Sequence, residues 1–238
     1  MFSLYSSNKD ESFNEIVVPT ESADATRLMA GWSLKLFDYD NDGNIDLLLP
    51  EGYRDPTVPK RTEELKYLEP MLLFRNTETG LKNRSARGGP MFSKGLAAQG
   101  MALGDFDNGG SVDVLVNQNN DAPVLLRNNM GRQNHWLGVR LIGRKATINA
   151  VGAKVTDKSG DFLRHPFKVG DGSYLSSHDP RMVLELGQRT AIDWVEVKWP
   201  VPSQLVKRFA NLPIDRYIPL REGGGVPAAK PTGPPSSS

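Results

Sequence analysis

The stretch FDYDNDGNIDLLLP, Phe37 to Pro50, sets Asp38, Asp40, Asp42 and Asp46 around Gly43 and follows them with an apolar run. A second stretch, GDFDNGGSVDVLVN, repeats the arrangement from Gly104 to Asn117. Few folds tolerate a carboxylate-rich loop between apolar strands, and fewer repeat it. Two carboxylates about 4 Å apart repel by roughly 4 kcal/mol at an effective dielectric of 20. Four in one tight loop therefore require a cation.

The first loop reads D-x-D-x-D-G-x-x-D from Asp38 to Asp46. Side-chain oxygens at positions 1, 3, 5 and 9 converge if the backbone curls, and Gly43 at position 6 permits the curl. Asn44, at position 7, offers its backbone carbonyl. A flexible, all-oxygen, mostly charged donor set suits Ca²⁺ better than the stricter octahedron of Mg²⁺. The ion's role is structural. An EF-hand needs Glu at position 12 and flanking helices, whereas position 12 here is Leu49 or Val116, each inside an expected strand. In the second loop Asp105, Asp107 and Asp113 keep positions 1, 3 and 9, Ser111 offers the position 7 carbonyl, and Gly109 replaces the carboxylate at position 5. Weaker binding is expected there.

The repeat extends beyond the loops. GWSLKLFDYDNDGNIDLLLP, Gly31 to Pro50, aligns with GMALGDFDNGGSVDVLVN, Gly100 to Asn117, and LLFRN at Leu72 to Asn76 answers VLLRN at Val124 to Asn128. Each unit holds at least three strands, with Glu15 to Thr20 ending an earlier one. Arg75 lies 29 positions beyond Asp46, and Arg127 only 14 beyond Asp113, so about 15 residues are inserted within Glu51 to Pro70. This insertion is charged and proline-bearing; it predicts a surface excursion with a short helix over TEELKYL. Units of this kind stack sheet upon sheet, as in a propeller or solenoid.

After Arg132 the acidic loops cease. Longer strands follow in HWLGVRLIG, GAKVTDKSG, DFLRHPFKV, RMVLELG, AIDWVEVKWP and RYIPLREG. In WVEVKW, Trp194, Val195, Val197 and Trp199 are expected inside, with Glu196 and Lys198 turned to solvent. The domains expected are 1–130, 131–222 as a sandwich or open barrel, and a disordered Pro/Gly/Ser tail over 223–238. Gly and Pro number 23 and 17 and punctuate short Val-, Leu- and Ile-rich runs, so the fold class is all-β.

The charge balance, 29 basic against 28 acidic residues, recommends neither nucleic acid nor an anionic membrane as partner. No segment approaches the roughly 18 apolar residues of a membrane span, and MFSLYSSNKDES carries no visible export signal. Cysteine is absent, which removes disulfides and thiolate chemistry. The three histidines, His135, His165 and His178, sit in no phosphate-loop, HExxH or GxSxG motif. SSHDP, Ser176 to Pro180, reads as a polar turn rather than a nucleophile and its base. Trp32, Trp136, Trp194 and Trp199 read as core residues rather than a sugar-stacking platform. No catalytic residue is assigned.

The two acidic repeats resemble FG-GAP or VCBS repeats, the calcium-loop blades of integrin-type β-propellers. NHWLGVRLIG (Asn134 to Gly143), VGAKV (Val151 to Val155), GDGSYLSSHDPRMVLELG (Gly170 to Gly187) and VEVKWP (Val195 to Pro200) resemble the ASPIC/UnbV domain. The combination is similar to the cartilage acidic protein 1 family. That resemblance implies a propeller of several blades, here a partial one of about two, followed by a β-sandwich-like ASPIC/UnbV domain. It also implies a secreted or periplasmic location and an adhesion-type role toward an extracellular protein or glycan. Two units cannot close a ring, so missing N-terminal blades of a longer chain, or another chain, are expected to complete it. The enediyne-cluster members of the family supply the alternative, an enzyme or auxiliary factor of bacterial secondary metabolism.

Overall fold

The computed structural model describes residues 3–8, 10–15, 21–166, 168–170 and 172–225. It is all-β apart from short helices and divides into two compact units, Met1–Gly131 with Asp171–Asp179, and Arg132–Gly170 with Pro180–Ser238. Most of the expected tail, 226–238, lies outside the described residues, as do 16–20, on which most of the expected earlier strand falls.

The first unit opens with a hairpin, β1 (Tyr5–Ser7) and β2 (Phe13–Glu15), and helix α1 (Glu21–Thr26). Its four-stranded antiparallel sheet has the order β3 (Lys35–Phe37), β4 (Asp46–Leu49), β6 (Leu72–Thr77), β7 (Gly80–Asn83). Helix α2 (Val58–Arg61) and β5 (Glu69–Pro70) lie between β4 and β6, and β5 pairs with β8 (Gly95–Leu96). The second repeat forms a three-stranded sheet of β9 (Ala98–Gly104), β10 (Asp113–Gln118) and β11 (Asp121–Leu126), with β10 in the middle.

Neighbouring residues of a strand point to opposite faces, so a strand buried throughout needs cover on both. That is why β4 reads as an unbroken Leu run. Leu48 and Leu73 join Met101, Val114 and Val116 of the second sheet in one cluster. Leu47, Leu49, Leu72 and Phe74 turn the other way and, with Leu81, meet Leu4, Ala25 and Met29. Full burial of each such side chain is worth about 1.5–3 kcal/mol. The second sheet is covered less completely, and its cross-strand partners Leu115 and Leu125 remain exposed.

Nine residues from the later part of the chain also belong to this unit. The backbone N–H of Leu103 donates to His178 Nδ1 at 3.1 Å, and that of Asp179 donates to the Leu103 carbonyl at 2.8 Å. Glycines on β9 make the approach possible: a Cβ on Gly100 would lie 2.7 Å from Ser176 Oγ and 2.9 Å from the Tyr174 carbonyl. Trp32 packs against Tyr174 with ring centroids 5.1 Å apart.

The second unit sets two sheets over one core. One has the order β15 (Met182–Gly187), β12 (His135–Ile142), β18 (Tyr217–Arg221), with β12 and β18 parallel. The other runs β14 (Phe162–Arg164), β13 (Lys154–Ser159), β16 (Trp194–Lys198), β17 (Val206–Ala210). Leu137, Leu184 and Leu220 of the first share a cluster with Val155, Val197 and Phe209 of the second. Arg164 links the sheets through Asp157 at 3.0 Å and Glu185 at 2.6 Å. Asp157 is fully buried, and removing one partner of such a network strands a charge in low dielectric.

Several expectations are corrected. TEELKYL is not helical; the helix covers Val58–Arg61, where Pro59 occupies the first turn and its missing N–H costs nothing. The insertion is a surface excursion only in its middle. Its ends, Glu51 and Glu69, are buried, and Gly52 packs so tightly on Ala97 and Ala98 that a Cβ would stand 2.4 Å from the Ala98 nitrogen. Trp194 shares the outer face with Glu196 and Lys198, stacked beneath the Arg208 guanidinium at 3.9 Å, while Val195, Val197 and Trp199 form the inner face. Trp32 is only half-buried, leaving Trp136 and Trp199 as the core tryptophans. The strand Val206–Ala210 and helix α1 carry no clear periodicity and were not expected.

Candidate metal centre

Both acidic loops join the first two antiparallel strands of their sheets, β3 to β4 and β9 to β10. The curl is made by a left-handed asparagine and glycine at matching positions: Asn41 and Gly43 have φ of 56° and 96°, Asn108 and Gly110 of 57° and 83°. Asparagine and glycine tolerate this region best.

Position 1 organises each loop from within. Asp38, 2% exposed, accepts the N–H of Asp42 at 3.0 Å and of Gly43 at 2.7 Å. Asp105 accepts those of Gly109 at 2.9 Å and Gly110 at 2.8 Å. Position 9 fastens the loop to its sheet. Asp46 accepts the N–H of Tyr39 at 3.2 Å with one oxygen and of Asn76 at 2.7 Å with the other. Asp113 does the same with Phe106 at 2.9 Å and Asn128 at 2.7 Å. Burial pushes the Asp46 carboxyl up to about 6 against the pull of those two N–H groups.

One carboxylate oxygen from each of Asp38, Asp40 and Asp42 lies within 4.8 Å of the others, and the same holds for Asp105, Asp107 and Asp113. These clusters can hold a metal ion. The donors are all oxygen, and an ionised carboxylate has about four acceptor sites, so Asp38 and Asp105 keep lone pairs beyond those given to the backbone. Asp46 is not among the clustered residues of the first loop. Asn44 lies exposed on that loop, donating its N–H to Asp42 at 2.8 Å. Ser111 is buried, its hydroxyl bonded to the Met130 carbonyl at 2.9 Å.

The chain itself supplies cations to both loops, which the spacing of the carboxylates does not reveal. Arg75 Nε stands 2.8 Å from Asp40 and its Nη2 2.6 Å from Asp42. Arg127 stands 2.6 Å from Asp107. Burial first and the charge of Asp42 second push the Asp40 carboxyl up, and the guanidinium opposes both. The signal was present in the Arg-Asn pair that ends both LLFRN and VLLRN. Its asparagines contribute too: the Asn128 amide bonds the carbonyl of Tyr39 at 2.7 Å and so ties the two loops together.

A second acidic pair lies at the base of the insertion. Glu69 accepts the Ala30 N–H at 3.1 Å, while Glu51 Oε2 is buried without a hydrogen bond. Burial, reinforced by the charge of Glu69, pushes Glu51 up to about 8. The histidines stay apart: His178 takes the Leu103 N–H, His165 bonds Thr156 at 3.1 Å, and His135 bonds Asp215 at 2.8 Å. Ser176 donates to the Tyr174 carbonyl at 2.8 Å.

The fold and these loops define an all-β protein with a repeated carboxylate centre and a separate two-sheet unit. Residues 143–227 match the protein-family model described as ASPIC and UnbV, so the chain carries an ASPIC/UnbV domain. A comparison with curated proteins finds no match. Among the described residues, no helix is long and apolar enough to cross a membrane.

Proposed function

We propose that this chain is a calcium-stabilised binding module of the cell exterior rather than an enzyme, in which FG-GAP/VCBS-type propeller blades precede the ASPIC/UnbV domain. The observation that carries this reading is the occurrence, in two successive sheets, of three carboxylate oxygens gathered within 4.8 Å. Oxygen donors on a flexible loop favour Ca²⁺ over Mg²⁺. The shared cluster of Leu48 and Leu73 with Met101 and Val114 supports face-to-face stacking of neighbouring blades. The exposed Leu115 and Leu125 offer a face for further blades, from a longer chain or another one. Protein or glycan recognition then falls to loops and to the ASPIC/UnbV surface, and the family resemblance supports a secreted or periplasmic setting.

Calorimetric titration of folded, chelator-stripped protein tests the reading. Saturable calcium uptake is expected, tighter at the first loop, with magnesium much weaker. Absence of calcium heat together with an unchanged melting temperature would overturn it.

A further inference from the structure

Within the first unit a cleft of about 430 Å³ opens between the two repeat sheets. That lies in the range of small-molecule sites. Its apolar lining is Leu48 and Leu73 from one sheet and Val114 and Leu126 from the other, with Phe92, and Asp40, Asn128 and Asn129 add polar groups. Two pairs of arginines border it. Arg75 and Arg127 are engaged by the acidic loops. Arg84 and Arg87 have no acidic partner among the described residues.

The backbone holds the second pair on one short turn. Arg84 donates its N–H to the Leu73 carbonyl at 2.7 Å, which pins it to β6. It then caps the 3₁₀ turn Ser85–Arg87, and the Arg87 N–H returns to the Arg84 carbonyl at 2.8 Å. Both arginines line the cleft. The turn is pressed onto the cleft floor at Gly88, where a Cβ would stand 2.4 Å from the Phe92 ring. Tyr39 also lines the cleft.

We propose that this cleft binds a small organic anion with an apolar body, its acid group held by Arg84 and Arg87. Two like charges lining one cleft disfavour each other, and an anion bound there offsets that cost. Their planar forks match a carboxylate or sulfonate in bidentate geometry. The apolar walls exclude inorganic anions as adequate occupants, because a bare ion leaves them wet. Asp40 of the first carboxylate cluster and its partner Arg75 also line the cleft, so anion binding is measured in chelator as well as in calcium, which separates its failure from that of the calcium reading.

Calorimetry on the full chain with decanoate, decan-1-ol and acetate tests the proposal, comparing the unaltered protein with R84Q/R87Q. Saturable decanoate binding is expected, at least tenfold weaker in the double variant and at least tenfold weaker for either comparison ligand. Unchanged melting of R84Q/R87Q establishes that it folds, and M130W, which adds bulk at an exposed lining residue but keeps both arginines, provides a second block. The proposal is overturned if decanoate gives no saturable heat, or binds R84Q/R87Q and M130W as well as the parent. Sedimentation with phosphatidylglycerol vesicles in the absence of a decanoate heat would assign the arginines to a lipid surface and overturn it equally.

Discussion

The guanidinium of Arg75 reaches back across the first sheet to place its Nε 2.8 Å from the Oδ2 of Asp40. An arginine from β6 thus sits in the loop between β3 and β4, where electrostatics alone calls for a cation. Arg127 repeats the device at Asp107. The loops are therefore held together before any metal arrives, and a metal ion must compete with a tethered charge.

Arg75→Gln removes that charge and leaves the loop oxygens in place. In chelator the variant should lose about 1 kcal/mol, the scale of a partly exposed charged hydrogen bond, or a few degrees of melting temperature. In calcium the loss should shrink, so the gap between melting with and without calcium widens relative to the parent. An equal loss in both conditions would contradict competition between the arginine and the ion.

Asp38→Asn and Asp46→Asn separate two roles. Each exchanges an acceptor oxygen for an amide that faces a backbone N–H, at a cost of about 1–3 kcal/mol in chelator. Only Asp38→Asn should also abolish the calcium-dependent gain at the first loop, because Asp38, and not Asp46, is among the clustered carboxylates there. Urea unfolding with and without calcium reads both effects.

Glu51 makes stability depend on pH. Its folded pKa, about 8, lies above its ordinary value of 4.5, so between these values the folded state binds the extra proton. Stability from this residue is complete below about pH 4.5 and is lost as pH rises through about 8. Glu51→Gln should flatten the fall across that window and stabilise the protein at pH 8 by on the order of a few kcal/mol. Denaturant midpoints at pH 5 and pH 8 provide the comparison; parallel pH dependence in parent and variant would exclude Glu51 as the source.

Gly100→Val should dislodge the 172–179 segment, because its Cβ meets Ser176 Oγ and the Tyr174 carbonyl below 3 Å. Limited proteolysis should then cut near Tyr174 at least several-fold faster, with Gly31→Val, where a Cβ meets nothing within 4 Å, as the unaffected control.

Local spacing alone determined the repeat, the carboxylate-Gly loops and the all-β class, because turn chemistry and strand period are properties of neighbouring residues; the ASPIC/UnbV domain was legible through family resemblance. Tertiary structure decided what meets those residues from afar. Asp46 and Asp113 fasten their loops to backbone at Asn76 and Asn128, and Arg75 and Arg127 become counter-ions, only once the third strand folds back. Trp194 faces outward because the core took Val195, Val197 and Trp199 instead, and an alternating pattern does not say which end of it stays inside. The burial of Glu51 and the docking of 172–179 on β9 likewise depend on long-range packing. Sequence spacing encodes which face a side chain shares with its neighbours; only the assembled core determines what covers that face.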